Sequence, residues 1–152
     1  MKNKSLIIKL ILIGLLLGGL IYYISSKNYA TVNLIPDNNE YGLANVIMNV
    51  KDDSVSKSGA TIVITDKNKI KYVYEEYYKL EKDIDNVWYE LKTNSDYYNF
   101  NNMGYVVNDD DTLEMNIDWS KTYGNLSSGK YRILKRVYDD GEYHYFSAEF
   151  EI

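Results

Sequence analysis

The 152-residue chain has no cysteine, one proline and one histidine. Without cysteine there is no disulfide framework, no thiol nucleophile and no lipid attachment through an N-terminal cysteine. One histidine and no cysteine also exclude the usual zinc ligand sets. A positive charge excess is missing too: from Tyr41 onward 13 Lys and Arg stand against 20 Asp and Glu, a net charge of −7. Such a surface repels nucleic acid and anionic lipid, and no nucleic-acid motif is present, so no nucleic-acid partner is expected. The missing disulfides do not forbid a stable domain, because about 110 residues bury some 65% of their unfolded surface without staples.

One long hydrophobic run is present. Residues 6–24, LIIKLILIGLLLGGLIYYI, are apolar except for Lys9, and thirteen of them are Leu or Ile. As a helix they span about 28 Å at roughly 1.5 Å per residue, close to the ~30 Å hydrocarbon core of a bilayer. Each Leu or Ile favours insertion by about 0.5 kcal/mol near the bilayer centre, and Lys9, one turn from the end, snorkels outward. Lys2, Lys4 and Lys9 against Lys27 alone on the far side keep the N-terminus cytoplasmic. Tyr22 and Tyr23 fall in the interfacial belt. The expected organisation is a cytoplasmic N-terminus (1–5), a transmembrane signal-anchor (6–24), a stalk (25–43) and an outer domain (44–152), in a single-pass protein of the cell membrane with its C-terminal domain extracellular. The stalk reading rests on Pro36 and the polar cluster DNNE. Only Ser26 offers a tolerable cleavage point after an apolar run too long for most signal peptides, so a retained anchor is favoured over secretion after cleavage. Abundant Asn, Lys, Ile and Tyr point to an AT-rich genome, in keeping with a bacterium that makes little use of extracytoplasmic disulfides.

Beyond the stalk the pattern has period two. TLEMNIDW sets Leu113, Met115, Ile117 and Trp119 on one face; HYFSAEFEI does the same with Phe146, Ala148, Phe150 and Ile152. ANVIMNV offers Ala44, Val46, Met48 and Val50, and TIVIT offers Ile62 and Ile64. Each reads as a half-buried strand. Turn residues punctuate them: Ser58-Gly59, Asp66 to Asn68, Asp85-Asn86, Asp109 to Asp111, Ser128-Gly129 and Asp139 to Gly141. The run KYVYEEYYKLEKDIDNVWYEL is rich in Tyr, Val and Trp, with Asp85-Asn86 as a turn, and reads as two strands rather than a helix. Seven or eight short antiparallel strands in this length predict an all-β fold, an immunoglobulin-like antiparallel β-sandwich behind one N-terminal transmembrane helix. On pattern alone a closed barrel is the alternative.

The stretch WSKTYGNLSSGKYRI, residues 119–133, admits two readings, a nucleophilic serine or a structural corner. Tyr131 follows Gly129 by two residues where a strand begins, and Leu126 is placed to plug the end of the core. Sandwich folds use such a tyrosine corner, in which the ring is buried and the hydroxyl bonds to backbone a few residues upstream. Leu126, Gly129 and Tyr131 are therefore assigned to a corner, with Ser127 and Ser128 as turn residues. Trp119, Tyr123, Gly124, Leu126, Gly129, Tyr131, Arg132 and Lys135, closing with Phe150-Glu151-Ile152, also resemble the bacterial immunoglobulin-like domain of Gram-positive membrane-attached and lipoprotein-like proteins. Gly59 to Thr65, Tyr72-x-Tyr74, Leu80-Glu81 and Trp88-Tyr89 fall in that family's order, and the resemblance covers about residues 44–152. It implies an immunoglobulin-like sandwich outside the membrane and no established reaction. Lipoprotein signals are common in such proteins, and the cysteine-free anchor here departs from them.

Candidate sites are few. His144 lies in a strand and suits a hydrogen-bonded role; pairing it with Ser127 or Ser128 lacks any nucleophile-elbow motif, so no catalytic residue and no enzyme is expected. Asp109, Asp110 and Asp111 are the metal candidates, three adjacent loop carboxylates able to meet part of a Ca2+ shell, although a solvated turn is the default and no cofactor is required. The chain has 17 Tyr, and Tyr97, Tyr98, Phe100, Asn101, Asn102 and Tyr105 form an aromatic-amide loop suited to binding, including glycan. The function expected is a non-enzymatic protein-interaction or sensory module at the cell envelope with an envelope protein as partner; the alternative is an envelope-glycan or other ligand-binding module using that loop.

Overall fold

The structure, a computed structural model, describes residues 2–27, 29–94, 100 and 103–152, and within the N-terminal helix the side chains of 7–23. That helix, α1 (Lys2–Lys27), extends past the apolar run at both ends. Its described side chains are all exposed, Leu16 at 74% and Ile21 at 67%, so the β-domain does not cover them. Within those described residues no helix is long and apolar enough to cross a membrane. The chain continues through β1 (Thr31–Asp37), β2 (Val46–Val50), β3 (Gly59–Asp66), β4 (Tyr74–Glu75), β5 (Tyr78–Ile84), β6 (Val87–Lys92), β7 (Gly104–Tyr105), β8 (Thr112–Asp118), β9 (Lys130–Asp139) and β10 (Glu142–Glu151).

Two main sheets form, in the orders β2-β3-β8 and β1-β6-β5-β9-β10, with β4 and β7 paired on their own. All of these pairings are antiparallel. Alternation decides what lies between the sheets: Ile62, Ile64, Leu113, Met115 and Ile117 from one meet Leu80, Ile133, Val137, Phe146 and Phe150 from the other in a single core. With two separate sheets the fold is a sandwich and not a closed barrel. The aromatic run resolves into β5 and β6, joined at Asp85 (φ 55°) and Asn86 (φ 64°); Asp140 (φ 47°) and Gly141 (φ 88°) join β9 to β10. Both are two-residue turns with positive φ at each central position, the hand that matches strand twist.

At the corner, Tyr131 is buried with its ring 5.7 Å from that of Phe150, and its hydroxyl donates to the Ser127 carbonyl at 2.8 Å. Leu126 is fully buried. Gly129, at φ +148°, exchanges backbone hydrogen bonds with Ile152 and so ties the corner to the C-terminal residue. Trp119 completes the stack at 5.4 Å from Phe150 while its indole N–H donates to the Lys57 carbonyl at 2.8 Å.

The stalk expected over 25–43 is not what forms. Residues 31–37 are β1, laddered to β6 through Thr31–Lys92, Val32–Leu91, Pro36–Tyr89 and Asp37–Trp88. Pro36 is compatible with this because β1 ends the sheet, where a missing N–H need break no ladder. Tyr29 bridges Asn125, and the Ala30 amide donates to the Asn125 carbonyl at 2.9 Å. The β-domain thus begins almost where the helix ends.

Tyr131→Phe keeps the ring and deletes the corner hydroxyl, and is expected to cost about 1–2 kcal/mol as a lost buried hydrogen bond. Urea unfolding of a fragment spanning 29–152 measures it; a difference near zero would remove the hydroxyl from the account of the corner.

Candidate binding surface

β3 turns Ala60, Ile62 and Ile64 inward, and the same parity carries Asp66 inward at its end. Asp66 is fully buried. Its carboxylate accepts hydrogen bonds from the Asn68 amide (2.9 Å) and side chain (2.9 Å), the Tyr72 amide (3.1 Å) and the Tyr74 hydroxyl (2.9 Å). Burial alone would raise its pKa, but these donors prevail and hold it below the usual Asp value. Burial and the Asp66 carboxylate together push the Tyr74 phenol far above its ordinary range. A second carboxylate grips the same loop from outside: Asp111 pairs with Lys67 at 3.1 Å and Lys71 at 2.7 Å, and Lys71 also donates to the Asp66 carbonyl at 2.7 Å. The connection from β3 to β4 is therefore held at both ends and along its length.

This loop presents two exposed apolar side chains among polar ones. Ile70 is 88% exposed at its tip, Val73 is 55% exposed, and both line a groove of about 500 Å³ with Lys69, Lys71, Tyr72 and the exposed Tyr138 at the end of β9. Tyr74 pairs with Tyr105 across β4 and β7; Val73 precedes the one strand and Val106 follows the other. Val106 and Met103 are exposed as well. Ile70 and Val73 on the braced loop and Tyr138 beside them stand among Asn68, Lys69, Lys71 and Asp139, a mixed apolar and polar lining of the kind interface surfaces carry.

Of the aromatic loop read from the sequence, Tyr97, Tyr98, Asn101 and Asn102 lie outside the described residues. Phe100 is half-buried against the core, its ring edge-on to Tyr77 at 5.0 Å and Tyr78 at 5.3 Å. Tyr105 donates to Glu76 Oε1 at 2.8 Å. These two aromatics brace the β4–β7 pair. In the acidic turn, Asp110 accepts from the Thr112 amide (3.1 Å) and hydroxyl (2.7 Å), Asp111 holds the two lysines, and Asp109 is exposed. Among the described residues no group of three or more His, Asp or Glu converges on a metal position. His144 Nε2 lies 3.3 Å from the Asp139 carbonyl oxygen. Ser127 Oγ accepts from Lys82 Nζ at 2.8 Å. Because Ile152 bonds to Gly129 and His144 lies eight residues earlier on the same strand, serine and histidine are about 26 Å apart along β10 at 3.3 Å per residue. The geometry does not assemble a triad.

Sequence reasoning missed Ile70, Val73, Val106 and Tyr138. A signal was present in KNKIKYV, where an apolar residue stands between lysines in a turn that has no need of one. It also missed the buried charges. On the outer face of the five-stranded sheet Glu81 is fully buried, with Oε2 accepting from Arg132 Nε and Oε1 making no hydrogen bond. Arg132 lies between the rings of Trp88 (4.7 Å) and Tyr41 (5.0 Å) and donates to the Asn39 carbonyl at 3.2 Å. Burial pushes the Glu81 carboxyl up to about 7; Arg132 opposes the shift and the Asp37 charge adds to it. Lys135, on the core side of β9, is fully buried, donates to the Glu75 carbonyl and is brought down to about 7 by burial.

Compared with known proteins, residues 42–151 match the sequence model of a bacterial Ig-like domain. No curated protein and no solved structure matches the chain at a significant level.

Asp66→Asn removes a charged acceptor from its donors and is expected to cost about 2 kcal/mol in urea unfolding at neutral pH. The depressed pKa makes this contribution present above the unfolded value of 3.8 and lost as pH falls through the still lower folded value, so the gap between parent and variant should narrow in acid; a gap constant with pH refutes the assignment. Glu81 has the opposite sign. Its folded pKa lies above the ordinary 4.5, so the parent should lose stability as pH rises from 4.5 to about 7. Glu81→Gln should decline less over that range, and parallel curves would count against a titrating Glu81.

Proposed function

Because the chain belongs to the bacterial immunoglobulin-like domain family, we propose that it acts without catalysis, as a protein-interaction or sensory module held at the cell envelope by α1. The observation that carries this reading is the exposed Ile70 and Val73 on a loop braced by Asp66 and Asp111, sharing one groove with Tyr138 of β9. Ordering an exposed isoleucine so firmly gives the domain itself no burial. It does prepare a surface that loses little entropy when a partner covers it. Asp111 pairs with Lys71, and Asp139 lies in the same lining as Lys69, so the apolar residues of the groove are bordered by charges of both signs, which suits a protein surface with an apolar centre and a polar rim.

Anchoring is part of the same proposal. The apolar run in the sequence, 6–24, passes the described side chains by one residue at each end, and lipid is the natural cover for a helix exposed all round. With Lys2, Lys4 and Lys9 retained inside, the sandwich lies outside the membrane of a Gram-positive cell. The glycan alternative relies on the Tyr97 to Tyr105 loop, of which Phe100 and Tyr105 are turned to scaffold duties, and it is the less favoured reading.

A photo-reactive residue at position 70 or 73, cross-linked in intact native cells and followed by mass spectrometry, should capture one recurrent envelope protein. The double variant Ile70→Glu, Val73→Glu should lose that product while its unfolding free energy changes by no more than about 0.5 kcal/mol, as for exposed sites generally. Attachment to wall polysaccharide only, or unchanged capture by the double variant, rejects the patch as the site.

A further inference from the structure

Between Val32 and Pro36 the β1–β6 ladder breaks, and Asn33, Leu34 and Ile35 bulge from the edge opposite Glu90 alone. Leu34 is 80% exposed and Ile35 70% exposed. No charged residue lies between Thr31 and Pro36, and the nearest acids are engaged, Glu90 by Lys79 at 3.0 Å and Asp37 by the Tyr41 hydroxyl at 2.6 Å. This segment also precedes residue 42, where the family match begins.

We infer that the Leu34–Ile35 knuckle rests in the interfacial layer of the bilayer, laying the β1 edge of the sandwich on the membrane surface. The inference depends on reading α1 as the anchor. Chain length then leaves little freedom. Leu34 is seven residues past Lys27, the end of α1, so it lies within about 25 Å of it even fully extended. Actual reach is shorter, because Tyr29 and Ala30 are bound to Asn125 and Thr31 is already paired with Lys92. A helix that leaves the hydrocarbon near Tyr22 and Tyr23 reaches its last residue inside the headgroup region, which is about 5–8 Å deep on each side. The first strand thus starts at the headgroup surface, and its exposed, uncharged, apolar bulge is the part of the sheet edge suited to enter. The domain's net negative charge argues against broad contact with anionic lipid, so burial of the knuckle and not electrostatic adsorption holds this edge down.

The cysteine-free chain allows a direct test. Single variants Leu34→Cys, Ile35→Cys, Ile47→Cys and Leu16→Cys of the full chain are labelled with an environment-sensitive fluorophore and reconstituted into phosphatidylcholine–phosphatidylglycerol vesicles with or without nitroxide-bearing lipid. Ile47 is the reference for an exposed apolar residue on the other sheet, at 62% exposure, and Leu16 reports the anchor. Labels at 34 and 35 should show blue-shifted emission and strong quenching by lipid nitroxide near the headgroup, while the label at 47 stays aqueous and unquenched. Labels at 34 and 35 as aqueous as that at 47, with the label at 16 deep in lipid, overturn the knuckle and leave the anchor standing. An aqueous label at 16 overturns the anchor and this inference with it.

Discussion

The surface that distinguishes this sandwich depends on one buried carboxylate. Asp66 sits at the end of β3 on the core-facing parity, where a carboxylate without partners would be costly to bury. Its partners are all local, the amides of Asn68 and Tyr72, the Asn68 side chain and the Tyr74 hydroxyl. Satisfying them bends the chain from β3 directly into the short β4 and leaves Ile70 outside the turn. Tyr74 is itself fully buried, its ring 5.9 Å from that of Phe146, so the carboxylate links the core to the loop with a single side chain between them. The loop's share of the groove is thus positioned in part by an interaction that faces away from it.

A second polar cluster organises the opposite side of the five-stranded sheet. Glu81 and Arg132 lie on neighbouring strands, paired in register, and by alternation they belong to the solvent face. They are buried because residues 37–41 cross over them: the Arg132 guanidinium reaches the Asn39 carbonyl and Tyr41 covers it. Glu81 keeps one oxygen without a hydrogen bond, and Asp37 brings a second negative charge near. One guanidinium between two carboxylates cannot balance both, and protonation of Glu81 relieves the excess as pH falls toward neutrality and below. The strap is consequently fastened by a carboxyl that burial raises to about 7.

How far the sequence could be read follows from these two clusters. Strands whose burial arises from their own alternation, such as β8 with Leu113, Met115 and Ile117, were plain, and so were the Asp85-Asn86 and Asp140-Gly141 turns, because the signal and the cause are both local. Asp66 was legible in principle, since it continues the parity of Ile62 and Ile64. Glu81 and Arg132 were not, because nothing within β5 or β9 announces that a distant strap will cover them. That strap was misread with β1 as a stalk, since Pro36 and DNNE give the same composition to a linker and to an edge strand with a bulge. The apolar patch was hidden for a related reason: exposure of Ile70 depends on Asp66 and Asp111 gripping the loop, and no periodicity encodes a grip. The Tyr97 to Asn102 segment drew attention by composition, yet its described neighbours Phe100 and Tyr105 turn to the core and to Glu76.

Sheet order then relates the β1 edge to the groove. β1 and β10 are the two edges of one five-stranded sheet, and the groove is built on β9, three strands from β1. At about 4.8 Å per strand that is some 14 Å across the sheet. Along the strands the separation grows further, because Thr31 pairs with Lys92 while Tyr138 lies in the part of β9 that extends beyond its pairing with β5. Under the proposed anchoring, with the β1 edge on the bilayer, the groove would face outward at a height set by the ladder between β1 and β6. On that proposal a stalk would let the patch sample a wide zone above the membrane, whereas a laddered β1 would confine it to one layer. The proposed geometry would suit a partner that is itself fixed relative to the membrane, since two surfaces held in one layer meet at a raised effective concentration and a modest apolar contact then suffices to hold them.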